Sequence, residues 1–291
     1  MSSTLSISST YLLNSGYKVP VLGYGVFKTP PEGARDGVIE AISNGYRLID
    51  SAAFYENEEA CATGILESGV PREDIFFTSK IPPNATSYDG AKAAIKQSLQ
   101  HVAGLKYIDL MLIHAPYGGT EARIGAWRAL VEAVEAGHIR SIGVSNYGIP
   151  HLEELQKHIA DIDSKLGKGK GGVLSVNQVE VNPWLPRKDI KIWCDKHNIR
   201  VQAWAPLAQA GRWNEPALKD IAQRVHKSEA QILLRWSLQK GFNPLPKSVT
   251  PSRITANAEL FDFELPDEDM ATLDTDEYDF HGWDPTTSGL E

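Results

Sequence analysis

The chain is poor in cysteine. Cys61 and Cys194 are its only two among 291 residues. Two thiols are too few for a disulfide framework, so a reducing, cytoplasmic setting is expected. Long apolar runs are missing as well. No stretch approaches the roughly 18 residues of a membrane span, and no membrane partner is expected. Nor is there a basic excess: 29 Lys and Arg stand against 37 Asp and Glu, for a formal charge of −8. That balance argues against sequence-independent nucleic-acid binding. The first ten residues lack a basic segment followed by an apolar core, so no secretory signal is expected. No two histidines stand three or four residues apart, which removes the commonest helical metal spacing; no metal is expected. The Gly- and Lys-rich stretch 163–172 lacks the Gly-Lys-Ser/Thr ending of a phosphate loop and reads as a solvated loop.

What is present is an ordinary globular composition, 42% apolar and 23% charged. The length suits an α/β barrel of about 250 residues, read as a single domain over 1–291. Residues 4–21 alternate around Asn14-Ser15-Gly16, a turn signal, and predict a β-hairpin. From there short apolar strands alternate with helical patterns. Strands are expected at 19–25, 47–50, 75–79, 108–113, 139–144, 173–180, 199–204 and 242–246. Helices are expected after each, two of them following the seventh strand, and one more, acidic, surface helix is expected over 266–277. Eight such units predict a parallel sheet closed into a (β/α)8 barrel.

Three of these strands release polar residues at their C-terminal ends, where barrels collect reacting groups. Asp50 and Tyr55 follow the second, Lys80 the third and His114 the fourth. Singly, each has an ordinary explanation as a cap, a solvated charge or a packed ring. Together they form a set suited to carbonyl reduction. Tyr55 is the proton donor, but a free phenol has a pKa of about 10. A neighbouring Lys80 ammonium favours the phenolate and lowers that value. Asp50 holds Lys80 and keeps it charged, and His114 hydrogen-bonds the substrate oxygen.

A protein cannot itself supply hydride, so this chemistry implies a nicotinamide. Gly23-Tyr-Gly25 is only half of a dinucleotide fingerprint, and a Rossmann domain is not expected. The cofactor is expected instead across the barrel mouth. Ser145, Asn146, Asn177 and Gln178 offer groups for a carboxamide, and Trp204 offers a ring to stack on. Lys247 and Arg253 flank a helix expected to start at Pro251, a setting for phosphate. They point to a 2′-phosphate, hence NADPH.

These stretches resemble the aldo-keto reductase superfamily: Gly23-Tyr-Gly25, Leu48-Ile-Asp-Ser-Ala52, Thr78-Ser-Lys80, Asp109-Leu-Met-Leu-Ile-His114, Gly143-Val-Ser-Asn146, Asn177-Gln-Val-Glu-Val-Asn182 and Lys247-Ser-Val-Thr-Pro-Ser-Arg253. The resemblance spans nearly the whole chain. It implies NADPH-dependent reduction of aldehydes or ketones by a monomer, with a dimer as the alternative, and the tetrad Asp50, Tyr55, Lys80 and His114. By matching position it implies Ser145, Asn146 and Gln178 on the carboxamide and Trp204 on the ring. It also implies Lys247, Ser248 and Arg253 on the 2′-phosphate and Asn257 on the adenine, with Gly25, Val26, Pro206, Leu207 and Val249 completing the cofactor groove.

The sequence departs from the common pattern in places. Ala115 follows the catalytic His where many members carry Trp, and Phe27 stands where many have Trp. Ala115 is expected to widen the pocket beside His114 and favour bulky ketones. Phe27, Phe54 and Tyr117 are expected as substrate walls, with His281 or Trp283 contributing from the tail. A redox-responsive, NADPH-binding regulatory subunit of the same fold is the alternative; the intact tetrad favours the enzyme.

Overall fold

The computed structural model of the protein describes residues 5–291; the first four, where the expected hairpin begins, lie outside the described residues. Strands β1 (Thr10–Leu12) and β2 (Lys18–Pro20) pair antiparallel around the Asn14-Ser15-Gly16 turn. Residues 19 and 20, expected in the first inner strand, belong to this hairpin, and β3 is only Gly23–Gly25.

The chain then alternates: α1 (Pro31–Ser43), β4 (Leu48–Asp50), α2 (Glu58–Glu67), β5 (Phe76–Ile81), α3 (Tyr88–His101), β6 (Ile108–Ile113), α4 (Gly119–Glu135), β7 (Ile139–Ser145), α5 (Ile149–Leu166), β8 (Leu174–Glu180), α6 (Lys188–Lys196) and β9 (Arg200–Trp204). Two helices follow, α7 (Pro216–Val225) and α8 (Glu229–Gln239), before β10 (Asn243–Pro244), α9 (Pro251–Ala256) and α10 (Asp267–Leu273). Strands β3 to β10 form one parallel sheet in sequence order. Its two edges meet where the Gly25 N–H donates to Pro246 O at 3.0 Å. The fold is a (β/α)8 barrel.

Alternation along the strands decides what fills the barrel. Leu48, Phe76, Leu110, Leu112, Val176 and Leu245 cluster inside it, with Leu13 and Val19 of the hairpin below them. The hairpin therefore plugs the N-terminal end. Asn14 and Asn243 pin it by donating to Leu174 O and Pro20 O. Outward strand residues such as Ile49, Phe77, Met111 and Val144 pack under the helices. With the bottom closed by the hairpin and the middle largely apolar, the polar inward residues that open on the cleft gather at the C-terminal rim.

Helix α5 runs to Leu166, into the stretch expected as a solvated loop. The stretch 163–172 is exposed over 164–170, as expected of a solvated loop, but it is anchored at Gly171. The Gly171 N–H donates to Asp163 Oδ1, and the buried Trp127 indole donates to Gly171 O. Beyond α10 the tail crosses the barrel mouth. It passes the start of α5 so closely that a Cβ at Gly148 would collide with Thr286 O.

Candidate active site

Lys80 points inward from β5 and is wholly buried. Its ammonium donates to Asp50 Oδ1 at 2.7 Å and to Ser51 O at 2.7 Å, and reaches Tyr55 Oη at 3.5 Å. A buried ammonium requires a close anion, and Asp50 supplies it. The pair holds the Lys80 pKa above its ordinary value even though burial, the largest influence, pulls it down. Asp50 is held in turn: Gln178 Nε2 donates to its second oxygen at 2.7 Å.

Tyr55 lies on a short 3-10 turn after β4, above Lys80. Its pKa is raised, chiefly by burial. Lys80 lowers it but does not win, which corrects the expectation of a net downward tuning. His114 follows β6, with its ring centroid 5.6 Å from that of Tyr55. Burial, helped by the Lys80 charge, lowers the His114 pKa to about 3. The imidazole is therefore neutral and carries one N–H. Nδ1 is sealed in without a partner among the described residues, so Nε2 is the nitrogen that can serve the cleft. The tautomer with its proton on Nε2 leaves only a bare lone pair at the sealed position.

Asp50, Tyr55 and His114 line a continuous cleft of about 1400 Å³, with Lys80 buried beneath it. Gly25, Ser145, Asn146, Gln178, Trp204, Pro206, Leu207, Lys247, Ser248, Arg253 and Asn257 all line it, as do Phe27, Phe54 and Tyr117. Four expected residues do not: Val26, Val249, Ala115 and Asn177. Val26 is buried with its carbonyl accepting from Asn57, Val249 is exposed outside the cleft, and Ala115 is fully buried behind it. Trp283 of the tail stands beside His114 instead, with ring centroids 6.1 Å apart.

The carboxamide group is more committed than its sequence suggests. Asn146 adopts a left-handed backbone (φ 61°), which Asn tolerates better than most residues. That turn lets its Nδ2 donate to His114 O and its Oδ1 accept from the Trp204 indole at 2.9 Å. Asn177 faces away from the cleft and donates to Tyr147 O. Ser145 Oγ donates to Gln178 O. With its NH2 spent on Asp50 and Gln202, Gln178 keeps its amide oxygen as an acceptor.

At the far end, Lys247 and Arg253 are exposed cations with no ion-pair partner among the described residues. Helix α9, which follows Lys247 and contains Arg253, has only six residues. The strap after β9 holds Ala205, Ala208, Gln209 and Ala210 in left-handed backbone, a costly choice for residues with a Cβ. Lys28, Trp213 and the start of α8 (Ser228, Glu229 and Ala230) also line the cleft. Sequence reasoning missed them; their only signal was adjacency to Phe27, to the strap and to a capping Ser.

Such a cleft, set over a buried Lys–Asp pair at the rim of a parallel barrel, defines a class of barrel oxidoreductases. The sequence model of the Aldo/keto reductase family matches residues 21–276. A glyoxal reductase of Bacillus subtilis is 43% identical over 270 residues, covering 92% of this chain and 93% of the relative. An uncharacterised oxidoreductase of Saccharomyces cerevisiae is 38% identical over 283 residues, covering 95% and 97%. Among solved structures, an aldo/keto reductase from Brucella melitensis superposes with a TM-score of 0.82 at 37% identity, covering 91% of this chain and 98% of that one. The chain belongs to the aldo/keto reductase family and is an oxidoreductase. The family generally uses nicotinamide cofactors.

Proposed function

We propose that this protein is an NADPH-dependent carbonyl reductase. The observation that carries the reading is the convergence of the Tyr55 hydroxyl and His114 Nε2 on one cleft, above the buried Lys80–Asp50 pair. The cleft suits an extended dinucleotide: Gln178 keeps its amide oxygen as an acceptor, and Lys247 and Arg253 bring two cations without an ion-pair partner among the described residues. A bound nicotinamide supplies the hydride. Trp204 offers it a face, Gln178 accepts from its carboxamide, and Arg253 and Lys247 meet a 2′-phosphate.

His114 donates from Nε2 to the carbonyl oxygen, orienting it and stabilising the charge that develops there. Tyr55 passes its proton to the same oxygen. Lys80 is close enough to stabilise the resulting phenolate, and this offsets part of the penalty that burial places on the ionised form. Asp50 keeps Lys80 charged and fixed.

Aromatic walls from Phe27, Phe54, Tyr117 and Trp283 support carbonyls with apolar substituents, bulky ketones among them. The expected reason, space opened by Ala115, does not apply. The B. subtilis relative is named for glyoxal, so small dicarbonyls belong on the same panel. The free, buried state of Cys61 and Cys194 suits a reducing cytoplasm, and we propose a monomer. NADPH oxidation by the purified protein across small aldehydes, dicarbonyls and bulky ketones tests the reading. Turnover of at least one class is expected. NADPH binding without turnover of any would overturn it.

A further inference from the structure

Glu180 ends β8 fully buried, yet it has no part in the chemistry above. Both its oxygens accept from one residue 101 positions later, and Oε1 also receives the Asn182 amide at 3.5 Å. The His281 backbone N–H donates to Oε2 at 3.1 Å, and His281 Nδ1 donates to Oε1 at 2.6 Å. A wholly buried carboxylate is costly unless it is closely paired, so this contact fixes the tail strongly at that point. Two residues on, Trp283 donates its indole N–H to Tyr117 Oη at 2.8 Å and stands edge-on to His114. One residue further, Asp284 accepts from the buried Arg187 guanidinium at 2.7 Å. Trp283 is therefore bracketed by two buried polar anchors. Of the two, only the Glu180 anchor rises from a barrel strand that also carries a cleft residue, Gln178, two positions earlier.

We propose that Glu180 is a positioning residue: through His281 it holds Trp283 as the substrate wall beside His114, and so sets how large a carbonyl the site admits. The proposal rests on the reductase reading for its kinetic consequence, but not for its structural one. Trp283 lines the cleft beside His114, whereas Ala115 is buried off it. The wall that the residue after the catalytic His does not provide is thus supplied by the tail, and it is only as rigid as its anchors.

The test compares Glu180→Gln, His281→Ala, Trp283→Ala and Arg212→Ala in the full chain. Arg212 also ties the tail, donating to Asp279 and Glu277, but on the solvent side, and it serves as the control. Hydrogen exchange of the amides in 279–284 needs no turnover. Glu180→Gln loses a charge-assisted bond, and exchange there is expected to quicken about tenfold or more. Arg212→Ala is expected to change it far less. With a small aldehyde and a bulky ketone as paired substrates, Glu180→Gln and Trp283→Ala should shift the ratio of kcat/KM towards the ketone, mainly through KM. The double variant should add little to Trp283→Ala. Should Glu180→Gln fold poorly, His281→Ala reports the same contact from the tail side. The proposal is overturned if exchange in 279–284 is unchanged in both variants, if Arg212→Ala matches them, or if Trp283→Ala alone shifts the ratio. If no carbonyl is turned over by the unaltered protein, the reductase reading fails while the exchange result still judges the anchor.

Discussion

Lys80 lies 2.7 Å from Asp50 Oδ1 but 3.5 Å from Tyr55 Oη. The ammonium is seated by the carboxylate and only leans on the phenol. Its stronger tie is structural and its weaker one is chemical, which separates the effects expected from altering each partner.

Asp50→Asn should cost both stability and rate. It leaves the Lys80 charge buried without an anion, a change of about 3–5 kcal/mol where such pairs are broken. Urea unfolding measures that loss. Lys80→Met removes both charges' partnership and the support for the phenolate, and kcat is expected to fall by about 10²–10⁴. An Asp50→Asn protein as stable as the unaltered one would contradict the assigned pairing.

The pH profile of reduction should be flat across neutrality. The Tyr55 pKa is raised above its ordinary value by burial, so the donor keeps its proton well into alkaline solution. His114, lowered to about 3, stays neutral throughout the same range. Stability carries the complementary signature. Below about pH 6.5 the unfolded chain protonates this histidine while the folded protein does not. Stability therefore declines as pH falls towards 3, by up to about 1.4 kcal/mol per unit from this group. His114→Gln should remove that part of the slope. A descending limb in kcat/KM between pH 7 and 8 would contradict the assignment of Tyr55.

Arg253→Ala should weaken NADPH far more than NADH. A charge-assisted bond of about 1.5–3 kcal/mol corresponds to roughly ten- to hundredfold in affinity. Fluorescence titration with both cofactors measures the difference. Equal loss for the two would remove Arg253 from the 2′-phosphate.

Ala115→Trp distinguishes the two accounts of the pocket. Ala115 is fully buried and off the cleft, so a large ring there overpacks the interior. Destabilisation of about 1–3 kcal/mol is expected, without a narrowed substrate range. A stable variant that selectively loses bulky ketones would restore Ala115 to the wall.

The sequence made the barrel legible because each strand is a short apolar run and each helix has its own apolar period and stop signal. The tetrad was legible for a related reason: polar residues directly after apolar strands land on one rim. The strap and tail were legible only in part: Pro206, Leu207, His281 and Trp283 were expected at the cleft and line it, but the contact that holds Trp283 there was not legible. Trp283 reaches His114 through a contact between Glu180 and His281, and no local pattern announces a partner 101 residues away. Val26 and Ala115 were misplaced because strand alternation continues beyond the strand ends, turning each away from its cleft-facing neighbour. The direction of the Tyr55 shift was misjudged because the sequence displays the lysine's charge but not the depth of burial that outweighs it.

The most direct test of the account is Tyr55→Phe, with NADPH affinity and single-turnover reduction measured side by side on a carbonyl that the unaltered protein accepts. The change deletes the hydroxyl and keeps the ring against Phe27 and His114. Cofactor affinity is expected to stay within about twofold while the rate of reduction falls by about 10²–10⁴. A variant that binds NADPH normally and reduces its substrate at near the original rate would contradict Tyr55 as the proton donor.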